Sequence, residues 1–143
     1  ILTDVLEHIK YPKKTFKNLL NNLNSGGKFL VTVPAYEFLY SSKDKELHHF
    51  RRYNFTTILK DISNKKIVIL KKSYFNTILF IPLSFLIIFF KIFKIDFGAA
   101  SEKQPNWLVN YILKKLFSFE RYFLERFNFL FGLSILLIGK KVN

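Results

Sequence analysis

The sequence predicts an α/β fold in which strands of a largely parallel sheet alternate with helices. An apolar, β-branched run at residues 28–34 is typical of a strand covered on both faces, and an amphipathic helical pattern precedes it. A glycine pair separates these two segments, as expected where a helix ends and a strand begins. With 143 residues, of which 50% are hydrophobic, the chain has the apolar content for the core of one domain.

The first predicted βαβ unit occupies residues 1–34. Residues 1–8 have the pattern of a buried strand, because apolar side chains precede polar ones that gather towards the end. Pro12 suits the first turn of the following helix, where its missing N–H group costs nothing. The apolar face of this helix comprises Phe16, Leu19, Leu20 and Leu23. We expect a right-handed crossover, with ligands bound beyond the carboxyl ends of the strands.

The next segment, residues 35–53, is a long polar and aromatic connection, and long connections are often functional. Asn54 can cap a short helix that follows it. The inner face of this helix comprises Phe55, Ile58, Leu59 and Ile62. Two further strands are predicted at residues 66–70 and 131–138.

Between these strands lies a hydrophobic insertion at residues 77–127, predicted as two helices. The second helix begins near Pro105, and its apolar side comprises Leu108, Ile112, Leu116, Phe119, Phe123 and Phe127. The first falls within the uncharged residues 73–90, a run that just reaches the length of a candidate membrane span. Because Pro82 would break its first turns, we expect a buried or membrane-surface helix in preference to a span.

The formal net charge of +13 first suggests nucleic acid or an anionic membrane as a partner. Most basic residues are scattered lysines, whereas nucleic-acid sites favour arginine forks and clustered stripes, so we expect no nucleic-acid partner. The chain has no cysteine, which excludes a disulfide framework and fits a reducing compartment. The first residues do not have the pattern of a signal peptide, so we expect a cytoplasmic protein, with the membrane surface as the alternative location.

Three segments carry a family resemblance by their order and intervals. Residues 3–9 read Thr-Asp-Val-Leu-Glu-His-Ile, residues 25–36 read Ser-Gly-Gly-Lys-Phe-Leu-Val-Thr-Val-Pro-Ala-Tyr, and residues 49–53 read His-Phe-Arg-Arg-Tyr. Together they resemble the second half of class I S-adenosylmethionine-dependent methyltransferases, and the likeness continues at residues 73–76 and 131–134.

The resemblance implies an incomplete Rossmann-like fold that comprises strands four to seven of a seven-stranded sheet. Residues 1–76 would form its βαβ core, residues 77–127 an inserted helical pair and residues 128–143 the last strand. The glycine-rich loop and the acidic residue that hold the cofactor in this family are not found in the chain. We therefore expect a fragment that begins inside the fourth strand and is inactive alone; its first residue is not methionine.

The implied function is methyl transfer from S-adenosylmethionine to a small-molecule or lipid-like acceptor, with peripheral membrane contact as a further expectation. The resemblance places Thr3, Asp4 and Glu7 at the cofactor and makes His8 and His49 catalytic. The acceptor-binding residues would be Pro34, Tyr36, Tyr40, Arg51, Arg52 and Tyr53. An arginine pair would favour a phosphate or carboxylate on the acceptor.

Several of these residues have structural alternatives. Glu7 and His8 could cap the strand and bond to nearby backbone, and the two loop tyrosines could serve packing alone. Arg51 and Arg52 could anchor the loop to acids such as Asp44 and Glu46. His48 occupies the position of a glycine in the family, so a left-handed turn there would cost more.

The sequence leaves two broader alternatives open. Asp4, Glu7 and His8 could bind a divalent cation, as a similar segment does in some relatives, but on a strand the two acids would point to opposite faces. We therefore assign no metal ligands from the sequence. The rival function is a membrane-associated interaction module that uses the apolar helices of residues 77–127.

Overall fold

The computed structural model describes residues 1–94 and 106–142, which form an α/β arrangement. The described strands are β1 (Leu2–Thr3), β2 (Lys28–Pro34), β3 (Ile67–Phe75) and β4 (Ser134–Lys141). The described α-helices are α1 (Pro12–Asn21), α2 (Ser42–Glu46), α3 (Phe55–Ile62), α4 (Phe80–Ile92) and α5 (Trp107–Arg126). Short 3₁₀ turns occur at Leu6–His8 and Glu37–Leu39.

The four strands form one mixed sheet in the order β1-β2-β4-β3. Strand β1 is parallel to β2, and β4 is antiparallel to both of its neighbours. It follows that β1, β2 and β3 run in the same direction, so their carboxyl ends lie at one edge of the sheet. This arrangement fits a partial Rossmann-like fold and confirms the predicted α/β class.

Helices α1 and α3 contact each other and therefore lie on the same face of the sheet. The connections from β1 to β2 and from β2 to β3 both advance in the same direction across the sheet. Because their helices share a face, the two crossovers have the same hand, as the handedness rule for such units requires.

The core lies between the sheet and these two helices. Phe16 of α1 packs edge-to-face on Phe29 of β2, with ring centroids 5.2 Å apart. The other fully or almost fully buried apolar residues include Leu6, Leu20, Val31, Val33, Ile58, Ile62, Ile135 and Leu137. The predicted helix faces are thus largely confirmed, except that Leu19 is 42% exposed.

The first strand is shorter than predicted. It ends at Thr3, and Asp4 adopts a left-handed conformation with φ of 51° that turns the chain into the 3₁₀ segment. The prediction of a strand through residue 8 was therefore wrong, and Glu7 and His8 belong to a turn rather than to a strand.

The boundaries of the later elements also differ from their predictions. Strand β3 extends to Phe75, and β4 begins at Ser134 rather than at residue 131. Pro82 lies in the first turn of α4 without breaking it, because the N–H groups of a first turn have no partner within the helix.

The predicted pair of helices is present as α4 and α5, while residues 95–105, including the predicted start near Pro105, lie outside the described residues. Asn106 caps α5 by accepting a hydrogen bond from the backbone N of Val109 at 2.9 Å. The predicted apolar side of α5 is largely uncovered, since Ile112 is 48% and Phe119 60% exposed. Within the described residues, every helix is too short or too polar to cross a membrane.

Candidate functional site

The candidate site lies at the edge of the sheet where the parallel strands end. Immediately after β1, the backbone N of Asp4 donates to the carbonyl of Thr32 at 3.0 Å, and the Thr32 hydroxyl donates to Asp4 Oδ1 at 3.2 Å. These bonds fix the turn next to β2. Thr3 and Asp4 remain exposed at this edge, whereas the 3₁₀ segment that follows carries Glu7 inwards.

Glu7 has a completely buried side chain. Neither carboxyl oxygen has a hydrogen-bond partner among the described residues, although the Glu7 carbonyl accepts from the backbone N of Phe50 at 2.8 Å. Burial raises the pKa of Glu7 from 4.5 to about 7, and the charges of Asp4 and Asp44 add to the rise. Glu7 therefore exchanges its proton near neutral pH.

Two histidines lie beside this carboxyl group. The rings of His8 and His49 meet nearly at right angles, with centroids 4.5 Å apart. His8 is exposed, and the His49 side chain is only 11% exposed. One donor atom from each of Glu7, His8 and His49 lies within 4.8 Å of the others, so these three side chains could together hold a cation. The alternative metal site considered from the sequence differed, because it grouped Asp4 rather than His49 with Glu7 and His8.

Asp44 orients His49. Its carboxylate lies 2.9 Å from His49 Nδ1, and it also accepts from Arg52 Nε at 2.9 Å and from the backbone N of Ser41 at 2.8 Å. Burial alone would raise the pKa of Asp44, but the hydrogen bonds and charge of Arg52, together with hydrogen bonds to His49 and to the Ser41 backbone, hold it below its usual value. Asp44 thus remains a carboxylate that accepts the Nδ1 proton, which makes Nε2 the basic nitrogen of neutral His49.

The predicted arginine pair has divided roles. Arg52 binds both carboxylate oxygens of Asp44 at 2.9 Å, and its backbone N donates to Glu37 at 2.8 Å, so it anchors the loop as the structural alternative proposed. Arg51 instead donates to the carbonyl of Lys10 at 3.2 Å. Both arginines line an open cleft of about 370 Å³ at the start of α3.

The predicted tyrosines differ in their surroundings. Tyr53 is 1% exposed, and its hydroxyl donates to the carbonyl of Leu6 at 3.4 Å, so its ring lies in the core while the residue also borders the cleft lined by Arg51 and Arg52. Tyr40 donates to the carbonyl of His49 at 2.7 Å and thereby supports the loop. Tyr36 stacks on Tyr74 with ring centroids 5.2 Å apart.

The remaining predicted acceptor residue, Pro34, takes part in the site through its backbone. Pro34 ends β2, and its carbonyl accepts from the backbone N of Tyr53 at 2.9 Å.

The sequence analysis did not predict the central role of Asp44, which it considered only as a partner of an arginine. The sequence does contain a pattern that indicates this role, because Ser41 and Asp44 have the spacing of a capping box and make both of its hydrogen bonds.

The arrangement can perform acid–base chemistry. A carboxyl group with a pKa of about 7 stands next to an imidazole whose tautomer is fixed by a buried carboxylate. At the level that the structure defines, this is an α/β protein with a carboxyl–imidazole cluster at the carboxyl edge of a partial Rossmann-like sheet. No protein-family model matches the sequence, and no curated protein matches it.

Proposed function

We propose that the chain is the C-terminal part of an S-adenosylmethionine-dependent methyltransferase that acts on a small or lipid-like acceptor. The single observation that carries the proposal is Glu7, a buried and ionisable carboxyl group at the edge where the parallel strands end. Ligands of open α/β sheets bind beyond this edge. The sequence resemblance assigns cofactor and acceptor to the same edge.

In this proposal β1, β2, β3 and β4 correspond to strands four, five, six and seven of the family's sheet. Among the described strands, β1 pairs only with β2, so its other side is an edge to which a further strand could add. The glycine-rich loop and the acidic residue that hold the cofactor would belong to that additional half of the sheet.

The residues of the site fit such a ligand. Both oxygens of Glu7 lack partners among the described residues, and they can accept hydrogen bonds from a hydroxyl or amine of the cofactor or acceptor. When bound, S-adenosylmethionine supplies an electrophilic methyl group. Thr3 and Asp4, which precede Glu7 by four and three residues, would complete the cofactor side of the edge.

The protein has two tasks in this reaction, which are to align the acceptor and to remove its proton. Nε2 of His49 is the group best prepared to accept a proton, because Asp44 holds the other ring nitrogen at 2.9 Å. His8 lies against the His49 ring and is exposed, so it can contact the acceptor directly. Tyr36 and Arg51 would form the outer walls.

Isothermal titration calorimetry with S-adenosylmethionine tests the proposal on a longer protein that includes the sequence upstream of Ile1. We expect binding with a dissociation constant of about 1–100 μM. Glu7→Gln should weaken binding about tenfold, because it replaces a charge-assisted hydrogen bond by a neutral one. Glu46→Gln makes the same change at an exposed position and should leave the affinity unchanged. A longer protein that binds no S-adenosylmethionine would contradict the proposal.

A further inference from the structure

Helix α4 exposes large apolar side chains around most of its circumference. Ile81 is 69%, Phe85 72% and Ile92 70% exposed, and in this 13-residue helix only Ser84 and Ile87 are buried. A helix that is apolar on all sides is normally enclosed by protein or lipid. Among the described residues, no element covers this surface.

Helix α5 adds exposed aromatic side chains that have a polar edge. Trp107 is 79%, Tyr111 54% and Tyr122 52% exposed. Side chains of this type favour the boundary between lipid and water, because the ring is apolar and its N–H or O–H group stays hydrated. Further exposed apolar residues of the same helix are Leu108, Val109, Ile112, Phe117 and Phe119.

The charges around this surface are strongly biased. Residues 77–94 and 106–127 contain six basic and two acidic side chains. Glu120, one of the two acids, is buried and accepts from the backbone N of Thr77 at 3.0 Å, so it faces the protein interior. The basic residues are all exposed, and they are Lys91, Lys94, Lys114, Lys115, Arg121 and Arg126.

Polar contacts fix the two helices to the rest of the protein. The Glu120 contact joins α5 to the residues just before α4, and Lys71 Nζ on β3 donates to the carbonyl of Phe127 at 3.3 Å, beyond the end of α5. The exposed apolar surface is therefore held in place. Helix α4 is about 20 Å long at 1.5 Å per residue, which is less than the roughly 30 Å hydrocarbon core of a bilayer.

We infer that α4 and α5 form a docking surface for an anionic lipid bilayer, on which both helices lie without crossing it. The exposed apolar side chains would enter the boundary between headgroups and acyl chains, and the basic residues would contact anionic headgroups. A second copy of the chain would bring two basic surfaces together, which like-charge repulsion disfavours. Docking of these two helices on a bilayer does not require methyl transfer.

Trp107 provides a direct test, because it is the only tryptophan of the 143-residue chain. Its fluorescence is measured with vesicles of phosphatidylcholine alone and with vesicles containing about 30% phosphatidylglycerol. With anionic vesicles we expect a shift to shorter wavelength and co-sedimentation of the protein. Both effects should decline as salt increases from about 0.05 to 0.5 M, because screening weakens the contacts with headgroups.

Two pairs of matched variants separate the apolar and electrostatic contributions. Ile81→Asp/Phe85→Asp should reduce vesicle affinity about tenfold or more, whereas Tyr11→Asp/Leu47→Asp changes exposed apolar residues elsewhere by the same charge and should not.

Lys114→Glu/Lys115→Glu should reduce affinity for anionic vesicles about tenfold or more. The control Lys13→Glu/Lys14→Glu reverses two exposed charges on α1 and should have less than about a third of that effect.

Three results would overturn the inference. The first is the absence of binding to anionic vesicles at low salt. The second is co-sedimentation without a Trp107 shift, or with equal affinity for neutral vesicles. The third is concentration-dependent self-association in sedimentation velocity that the Ile81→Asp/Phe85→Asp variant abolishes, which would assign the surface to a second copy.

Discussion

His49 Nδ1 lies 2.9 Å from Asp44 Oδ1, and the same carboxylate accepts a hydrogen bond from Arg52 Nε at 2.9 Å. The Asp44 side chain is 1% exposed, so water competes little for either contact. This carboxylate thus fixes the ring of a candidate catalytic histidine and holds the loop that carries it. Structural stability and preparation of the site depend on the same residue.

Asp44→Asn should lower the free energy of unfolding by about 3 kcal/mol, because the Arg52 guanidinium would stay buried without a charged partner. Urea denaturation at neutral pH measures the change. The control is Glu46→Gln, which removes an exposed ion pair with Lys43 at 3.0 Å on the same helix and should cost less than about 0.5 kcal/mol. Equal effects of the two substitutions would show that the buried network contributes little.

Because the pKa of Glu7 is raised in the folded protein, we expect stability to depend on pH in an unusual way. The pKa of Glu7 is about 7 in the folded protein and near 4.5 when unfolded, so between these values the unfolded state has released a proton that the folded state retains. The Glu7 contribution to stability therefore falls as pH rises from about 4.5 to 7, by at most about 3 kcal/mol, and is constant above that range.

Glu7→Gln should remove this dependence, since glutamine does not ionise. We expect the variant and the original chain to unfold at similar urea concentrations at pH 4.5, and the variant to be more stable at pH 8. The matched substitution Glu46→Gln should leave the pH profile as it was. A Glu7 carboxyl whose ¹³C resonance titrates near pH 4.5 in the folded protein would refute the prediction.

The α/β class was predictable because its signals are local. The apolar run of β2, the helical period of α1 and the glycines between them each depend on a few neighbouring residues. The end of β1 was not predictable in this way, because the positive φ of Asp4 is stabilised by Thr32, which is 28 residues away in sequence. The exposed side of α5 also escaped prediction, since periodicity identifies an apolar face but not what covers it.

For the candidate site, the sequence identified Glu7, His8 and His49 individually but did not show that they converge. Their convergence requires the turn at Asp4 and the hydrogen bond from Phe50 to the Glu7 carbonyl at 2.8 Å, both of which are products of the tertiary fold. The burial of Tyr53 is likewise a tertiary effect. Sequence patterns indicate which side chains have useful chemistry, whereas the fold decides which of them share a site.

His48 has a φ of 57°, which lies in the left-handed region that favours glycine. His48→Gly should therefore be more stable than His48→Ala by about 1 kcal/mol, because only glycine avoids the Cβ clash of that conformation. Urea denaturation of both variants measures the difference. Lys17 is exposed to solvent in the middle of α1. At this position the order of stability should reverse, with the alanine variant more stable than the glycine variant by about 1 kcal/mol. If the His48→Ala and His48→Gly variants had equal stability, the turn at position 48 would not be strained.

Gly139 on β4 pairs directly with Phe29 on β2, and a Cβ atom at position 139 would overlap the Phe29 ring. Gly139→Ala should therefore destabilise the protein by about 1–3 kcal/mol, because the ring also packs against Phe16 and cannot move away without disturbing the core. Phe29→Leu alone should cost about 1–2 kcal/mol through lost packing. In the double variant the smaller leucine leaves space for the new methyl group, so the combined loss should be at least about 1 kcal/mol less than the sum of the single losses. Strict additivity in urea denaturation would show that the two positions are not in steric conflict.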